Sequence, residues 1–243
     1  MTLEGAKRID VSYAGKQSAK DGERVCGDSV SVTESADGCF YCFICDGMGS
    51  GETAALTSRV CRVFLEKMLT CGNDKTTTLE MLNMFLKNRG AECFATIDLL
   101  EIDMHTGTAS FIKSGAAPSY IVRGGNLFRI ASGTLPVGIL SDISAEVTEF
   151  ELMEGDIIVM VSDGVCGDPE LDGVRLCECL TNDPVRDLAA SAEKIMLGAK
   201  AENRRSDDMT IELLRIEPPG KNSRDRVPSS PELFSQLNED FAV

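Results

Sequence analysis

Four glycine-containing pairs interrupt the chain at the ends of apolar runs, and they restrict it to a fold rich in antiparallel strands. Asp37-Gly38 precedes CFYCFIC, Thr106-Gly107 separates TIDLLEIDM from TASFIK, Gly124-Gly125 separates SYIV from NLFRI, and Glu154-Gly155 precedes DIIVMV. Pairs of this kind close hairpins between antiparallel neighbours. The runs between them are often continuously apolar, as from Ile157 to Val161, which suits strands covered on both faces by other layers. The sheet is expected to be sandwiched.

Three segments carry a helical period. Leu56, Val60, Val63, Phe64 and Met68 form one stripe that stops at Gly72, and Leu79, Leu82, Phe85 and Leu86 form another before Gly90. A left-handed glycine would cap each. In the third, Asp183 can cap, Pro184 fits the first helical position, and Val185, Leu188, Ala189, Ala192, Ile195, Met196 and Ala199 recur at three and four residues before a final strand, MTIELLRI. After Ile216 the composition turns to Pro218, Pro219, Gly220 and charged, Ser/Pro-rich sequence. Residues 218–243 read as an extended or disordered tail, with LFSQL as the stretch able to dock on the body. One α+β domain over residues 1–217, with antiparallel strands outnumbering helices, is the simplest architecture.

Bulk properties narrow the function. The 43% hydrophobic content of 243 residues can bury a sizeable core. A formal charge of −15 argues against nucleic-acid partners and anionic membranes, which would repel it. Ten cysteines without a leader peptide predict reduced thiols and a cytoplasmic protein. No apolar run approaches the roughly 20 residues needed to span a bilayer, so this chain is expected to make no membrane contact, although a longer parent polypeptide could carry an anchor.

The informative carboxylates stand at strand ends. Asp28 precedes SVSV, Asp46 follows CFYCFIC, Asp163 follows IIVMV, and Asp207 and Asp208 precede MTIELLRI. In antiparallel neighbours the start of one strand lies beside the end of the next, so all could reach one sheet edge. Converging carboxylates cannot all ionise without protons or cations between them. Oxygen-only ligands suit Mg²⁺ and Mn²⁺, and a single histidine argues against a histidine-rich zinc site. The glycines of DGMGSG (Gly47, Gly49, Gly51) permit a sharp turn that exposes a main-chain carbonyl as a further ligand. Against this, Asp-Gly is a common turn former, and any one of these aspartates alone reads as such.

Other residues carry weaker signals. His105 sits at a predicted hairpin tip, where histidines are usually solvated. Cys39, Cys42 and Cys45 have clamp-like spacing, yet on a strand Cys42 faces away from the other two. Small packed thiols are the expected reading, also for Cys177 and Cys179. Arg24 and Arg59 could meet a phosphate, but surface arginines are common.

The ordered blocks GDS (27–29), DGMGSG (46–51), SGAAPSYI (114–121), LPVGI (135–139), GDIIVMVSDGV (155–165) and SDDMTI (206–211) resemble the PPM-type, protein phosphatase 2C-like superfamily. More narrowly they are similar to the phosphatase domain of stage II sporulation protein E of spore-forming Firmicutes. The resemblance implies an α-β-β-α sandwich of two antiparallel sheets flanked by helices, and two Mn²⁺ or Mg²⁺ ions at one edge. Asp46 would bridge both metals, with Asp163 and Asp207 on one side and Asp28 plus the Gly47 carbonyl on the other; Asp208 would be a further ligand or a supporting group. Asp46 and Asp163 would be catalytic through an activated water. Many eukaryotic members carry histidine after the bridging Asp-Gly, a candidate general acid, where this chain has Met48.

The implied activity is hydrolysis of phosphoserine or phosphothreonine on a protein, a phosphorylated anti-anti-sigma factor, leading to activation of a sporulation sigma factor. The helices within 52–90 would form the regulatory and homodimer-forming element. Two other readings compete: a phosphatase-fold binding module, and the nucleotide box of a histidine-kinase-like ATPase. The intact aspartate set opposes the first, and the lack of an upstream asparagine-bearing helix and a second glycine box opposes the second.

Overall fold

The computed structural model describes residues 8–49, 51–89, 93–141, 143, 146–166, 169–181, 187–202 and 207–220. In chain order the elements are β1 (Asp10–Ser18), β2 (Asp28–Glu34), β3 (Cys39–Gly47), α1 (Gly51–Thr70), α2 (Lys75–Asn88), β4 (Ala95–Asp103), β5 (Thr108–Ser114), β6 (Ser119–Arg123), β7 (Asn126–Ile130), β8 (Glu146–Glu151), β9 (Ile157–Val161), α3 (Pro169–Thr181), α4 (Leu188–Glu202) and β10 (Met209–Glu217). They build two five-stranded sheets, ordered β1-β10-β9-β6-β7 and β2-β3-β4-β5-β8, with every strand pair antiparallel. The expected α-β-β-α sandwich is the fold observed.

Strand periodicity sorts the side chains into three apolar layers. On β3, Phe40, Cys42 and Ile44 enter the layer between the sheets, while Tyr41, Phe43 and Cys45 face α1 and α2. On β9, Ile158 and Met160 point between the sheets, and Ile157, Val159 and Val161 pack under α3 and α4. The continuously apolar runs are therefore strands buried on both faces, as expected. Cys42 and Cys45 lie on opposite faces of the sheet, and no disulfide joins any of the ten cysteines.

Three glycine pairs close the hairpins β2–β3, β4–β5 and β6–β7. Glu154-Gly155 does not: β8 lies in one sheet and β9 in the other, so this turn carries the chain between sheets. EVTEFE alternates exposed with partly buried residues and suits an edge. IIVMV is buried throughout and takes a neighbour on each side, in β6 and β10. The Gly155 amide donates to the Ile216 carbonyl at 2.9 Å, which pins the turn to β10.

The helices appear where the period placed them, with one face reversed. α1 buries Ala54, Ala55, Ser58, Cys61, Leu65 and Leu69; of the expected stripe, Leu56 (56%) and Val63 (44%) are exposed. The reason is proximity. A Cβ on Gly47 would overlap the Ala54 carbonyl, so α1 lies too close to β3 for a row of large side chains. Hydrogen bonds fill the seam: Ser29 pairs with Ser58 at 2.9 Å, and Ser31 donates to Glu66 at 3.0 Å. The α1 terminus follows expectation, with Gly72 left-handed and its amide and that of Asn73 donating to Leu69 and Met68. On α2, Leu79, Leu82 and Leu86 are buried, whereas Phe85 is exposed and stacks on Phe64 with centroids 5.8 Å apart.

The expected start of the third helix at Asp183 and Pro184, the glycine cap at Gly90 and the tail from residue 221 onward lie outside the described residues. Asp187 accepts from the amides of Ala189 and Ala190 at the start of α4. α3 occupies a stretch to which the sequence reading assigned no period. His105 is not merely solvated: its Nε2 lies 3.2 Å from the Asp37 carbonyl, joining two hairpin tips at the end of β3 remote from Asp46. No helix among the described residues is long and apolar enough to cross a membrane.

The inner face of α1 yields a direct test. Leu65→Ala should cost about 2–5 kcal/mol by urea unfolding, because it empties a fully buried site. Leu56→Ser should stay within about 0.5 kcal/mol of the parent. A larger loss for Leu56→Ser than for Leu65→Ala would show that the helix presents its other face.

Candidate metal centre

At one end of the inter-sheet layer the alternation that delivers Ile44, Val32, Met160 and Leu214 to the apolar core delivers polar groups instead. Asp46 follows the parity of Ile44, Asp28 that of Val32, Ser162 that of Met160, and Thr210 that of Leu214. Asp28 and Asp46 are register partners across β2 and β3. Asp163, Asp207 and Asp208 come from the ends of β9 and β10 in the other sheet. The predicted residues therefore lie at the facing ends of two stacked sheets, and not along the edge of a single one.

Hydroxyls tie the two halves together. Thr210 Oγ1 donates to Asp28 Oδ2 at 2.5 Å, bridging the sheets. Ser162 Oγ accepts the Thr210 amide at 2.9 Å, and the Ser162 amide donates to the Thr210 carbonyl at 3.0 Å. Asp28 Oδ1, on a side chain buried to 5% exposure, has no partner among the described residues.

Asp208 is bonded to backbone on both of its oxygens. Its Oδ1 accepts the Lys20 amide and its Oδ2 the Gly27 amide, both at 2.9 Å, so it clasps the β1–β2 loop that delivers Asp28. Asp207 is exposed and accepts the Asp208 amide at 2.9 Å. Gly164 lets the turn after Asp163 press against β10, since a Cβ there would overlap the Asp208 carbonyl.

The carboxylates oppose one another's ionisation. Burial, followed by the charges of Asp28, Asp163, Asp207 and Asp208, pushes Asp46 up to about 8. Burial raises Asp28 to about 6, against the lowering effect of the Thr210 and Ser162 hydroxyls. Asp163 is raised by burial and then by Asp207. Among the described residues no three His, Cys, Asp or Glu side chains are gathered into a ligand cage. The donors nevertheless fit a hard divalent cation: they are oxygens, they carry surplus negative charge, and the buried Asp28 Oδ1 lacks a partner.

Sequence reasoning missed Thr210 and Ser162, and with them a buried pair one step deeper in the same layer, Asp98 and Lys113. Their signal was polar residues in inward register within apolar strands. With both faces of these strands covered, the sequence does not tell which face they take.

Residues 36–217 match the family described as Stage II sporulation protein E (SpoIIE). Stage II sporulation protein E of Bacillus subtilis (strain 168) is 31% identical over 224 residues, covering 87% of this chain and 26% of that protein. The chain thus spans about a quarter of that relative's length. Among solved structures, the PP2C phosphatase domain of SpoIIE from Bacillus subtilis, with a fragment of its regulatory domain, superposes with a TM-score of 0.80 at 32% identity, covering 88% of this chain and 64% of that one. RsbX in complex with magnesium superposes with a TM-score of 0.68 at 20% identity, covering 87% of this chain and all of that one. That second likeness concerns the fold alone.

The shifts fix the sign of a pH effect. A carboxyl whose folded pKa lies above its unfolded value near 3.9 binds more protons when folded, so the cluster's contribution to stability falls as pH rises. The window runs from about pH 4 to the folded values near 6 for Asp28 and near 8 for Asp46. Metal-free protein should lose melting temperature between pH 5 and pH 8, and Asp46→Asn should flatten that loss. An unchanged slope in Asp46→Asn would remove Asp46 from the cluster.

Proposed function

Since the chain belongs to the stage II sporulation protein E family and has the fold of its PP2C phosphatase domain, we propose that it is a metal-dependent serine/threonine phosphatase acting on a phosphoprotein. The observation that carries the proposal is the placement of carboxylates at the facing ends of two sheets: Asp28 and Asp46 are register partners, Asp46 and Asp163 line one cavity, and Thr210 of one sheet bonds to Asp28 of the other. Burial and neighbouring carboxylates raise the pKa values of Asp28, Asp46 and Asp163. Asp46, the register partner of Asp28, would contact both of two Mn²⁺ or Mg²⁺ ions. Asp163 and Asp207 would hold one, and Asp28 with the Gly47 carbonyl the other. Bound there, the ions supply a more acidic water and neutralise phosphoryl charge.

The protein's own part is arrangement. Thr210 orients Asp28, Ser162 holds the Thr210 amide, Asp208 holds the loop before Asp28, and the close seat of α1 on Gly47 constrains the turn whose main-chain carbonyl would be a ligand. Asp208 is thereby a supporting group in this reading. Met48 has no proton to donate, so the leaving group would take its proton from a water, held at the ions or free in solvent, which points to modest turnover. The substrate class proposed is a phosphorylated anti-anti-sigma factor, whose dephosphorylation would lead to sporulation sigma factor activation. The family's name and the match to a sporulation protein support this assignment.

Phosphate release from a phosphoserine peptide should require Mn²⁺ or Mg²⁺, vanish with EDTA, and fall by at least about 100-fold in Asp46→Ala and Asp163→Ala. Folded protein without activity under any divalent ion would instead favour a phosphatase-fold binding module.

We also propose that the outer faces of α1 and α2 form a regulatory homodimer contact. Leu56, Val63, Met81, Met84 and Phe85 are all exposed there, and apolar surface of this kind marks association sites. Leu56→Glu with Phe85→Glu should lower the mass seen by light scattering at micromolar concentration to that of one chain. A mass unaffected by the substitutions would refute the contact.

A further inference from the structure

Below the carboxylate cluster, in the same inter-sheet layer, lies a charged pair whose position is not explained by packing. Asp98 of β4 and Lys113 of β5 are register partners, each with a side chain only 2% exposed. Lys113 Nζ sits 2.7 Å from Asp98 Oδ2 and donates to Ser119 Oγ at 2.9 Å and to the Ala117 carbonyl at 2.7 Å. Three donors thus meet three partners. Ser119 Oγ donates in turn to Asp98 Oδ2 at 2.6 Å. All the bonding falls on Oδ2; Oδ1 is buried and has no partner among the described residues.

Asp98 also lines a cavity of about 20 Å³ together with Asp46, Asp163, Thr96 and Ser162, which is room for one water molecule. A buried ion pair is weak evidence for stability, because apolar residues of the same shape commonly do as well. A third cation in this cavity would be opposed by the ammonium beside it, which already neutralises Asp98. A neutral water bonded between carboxylates meets no such opposition.

We propose that Asp98 is a positioning residue for the phosphatase reaction. Its Oδ1 accepts a hydrogen bond from a water in this cavity, and through that water it orients the carboxylates of Asp46 and Asp163, while Lys113 keeps it from adding charge to the cluster. This rests on the reading of Asp46 and Asp163 as metal-holding residues of a phosphatase. Partners of metal ligands typically contribute 10- to 100-fold to metal affinity or activity.

Two measurements test it. A crystal structure of the unaltered protein, at a resolution that shows ordered solvent, should place a water about 2.6–3.2 Å from Asp98 Oδ1 and within reach of Asp46 or Asp163; a dry cavity overturns the proposal whatever the variants do. The double variant Asp98→Leu with Lys113→Met replaces the pair by apolar side chains. It should melt within a few degrees of the parent, yet bind Mn²⁺ about 10-fold more weakly by the electron paramagnetic resonance of the free ion, and release phosphate with kcat reduced about 10- to 100-fold at nearly unchanged KM. A folded double variant with parental Mn²⁺ affinity and kcat would make the pair structural only. If the unaltered protein neither binds Mn²⁺ nor releases phosphate, the phosphatase reading fails, and the solvent structure still reports on the water.

Discussion

Carboxylates at the rim of a low-dielectric core repel, and much of this structure arranges the groups that face that repulsion. Antiparallel pairing sets the end of β3 beside the start of β2 and the end of β9 beside the start of β10, and the Thr210–Asp28 bond joins these two ends across the sandwich. The Thr210 hydroxyl bonds to Asp28, and Ser162 Oγ accepts the Thr210 amide. Asp208 spends its oxygens on backbone amides of the β1–β2 loop. One layer down, Lys113 balances Asp98, so the column of acidic groups gains no net charge there. Divalent ions would complete an arrangement already biased toward them.

Much of the fold was legible in the chain because two periods and one punctuation mark carry it. Continuous runs such as CFYCFIC announced strands covered on both sides, and three glycine pairs announced their hairpins. The fourth pair misled because a turn's composition does not say which sheet receives the next strand. That is decided by the neighbours each strand needs: β8 can stand at an edge, and β9 cannot. The reversed face of α1 has a similar origin. Apolar periodicity identifies a helix, but the closeness of its support selects which face is inside, and at Gly47 only small residues fit.

The candidate site was legible to the same depth. Asp46 and Asp163 stood out because each ends an apolar strand and is followed by glycine, and the six ordered blocks carried the family likeness. Thr210 and Ser162 looked like ordinary strand-end residues. Nothing in the local sequence separates Asp98 and Lys113 from ordinary solvated charges. Recognising them requires knowing that a second sheet covers that face, which is information about the whole fold rather than about any window of sequence.

The pairing of β1 with β10 has a mechanical consequence. Asp10 faces Glu217 across the ladder, and the Gly220 amide donates to Asp10 at 2.7 Å, so both strands leave the body side by side, at the end opposite the carboxylates. Tension applied through flanking polypeptide would load the ladder one hydrogen bond at a time, like opening a zipper, instead of shearing all its bonds together. The seam would yield at a low force and begin at the end far from Asp208. Early loosening there would leave Asp28 and Asp46 in register, because they sit in the other sheet, with β2 and β3.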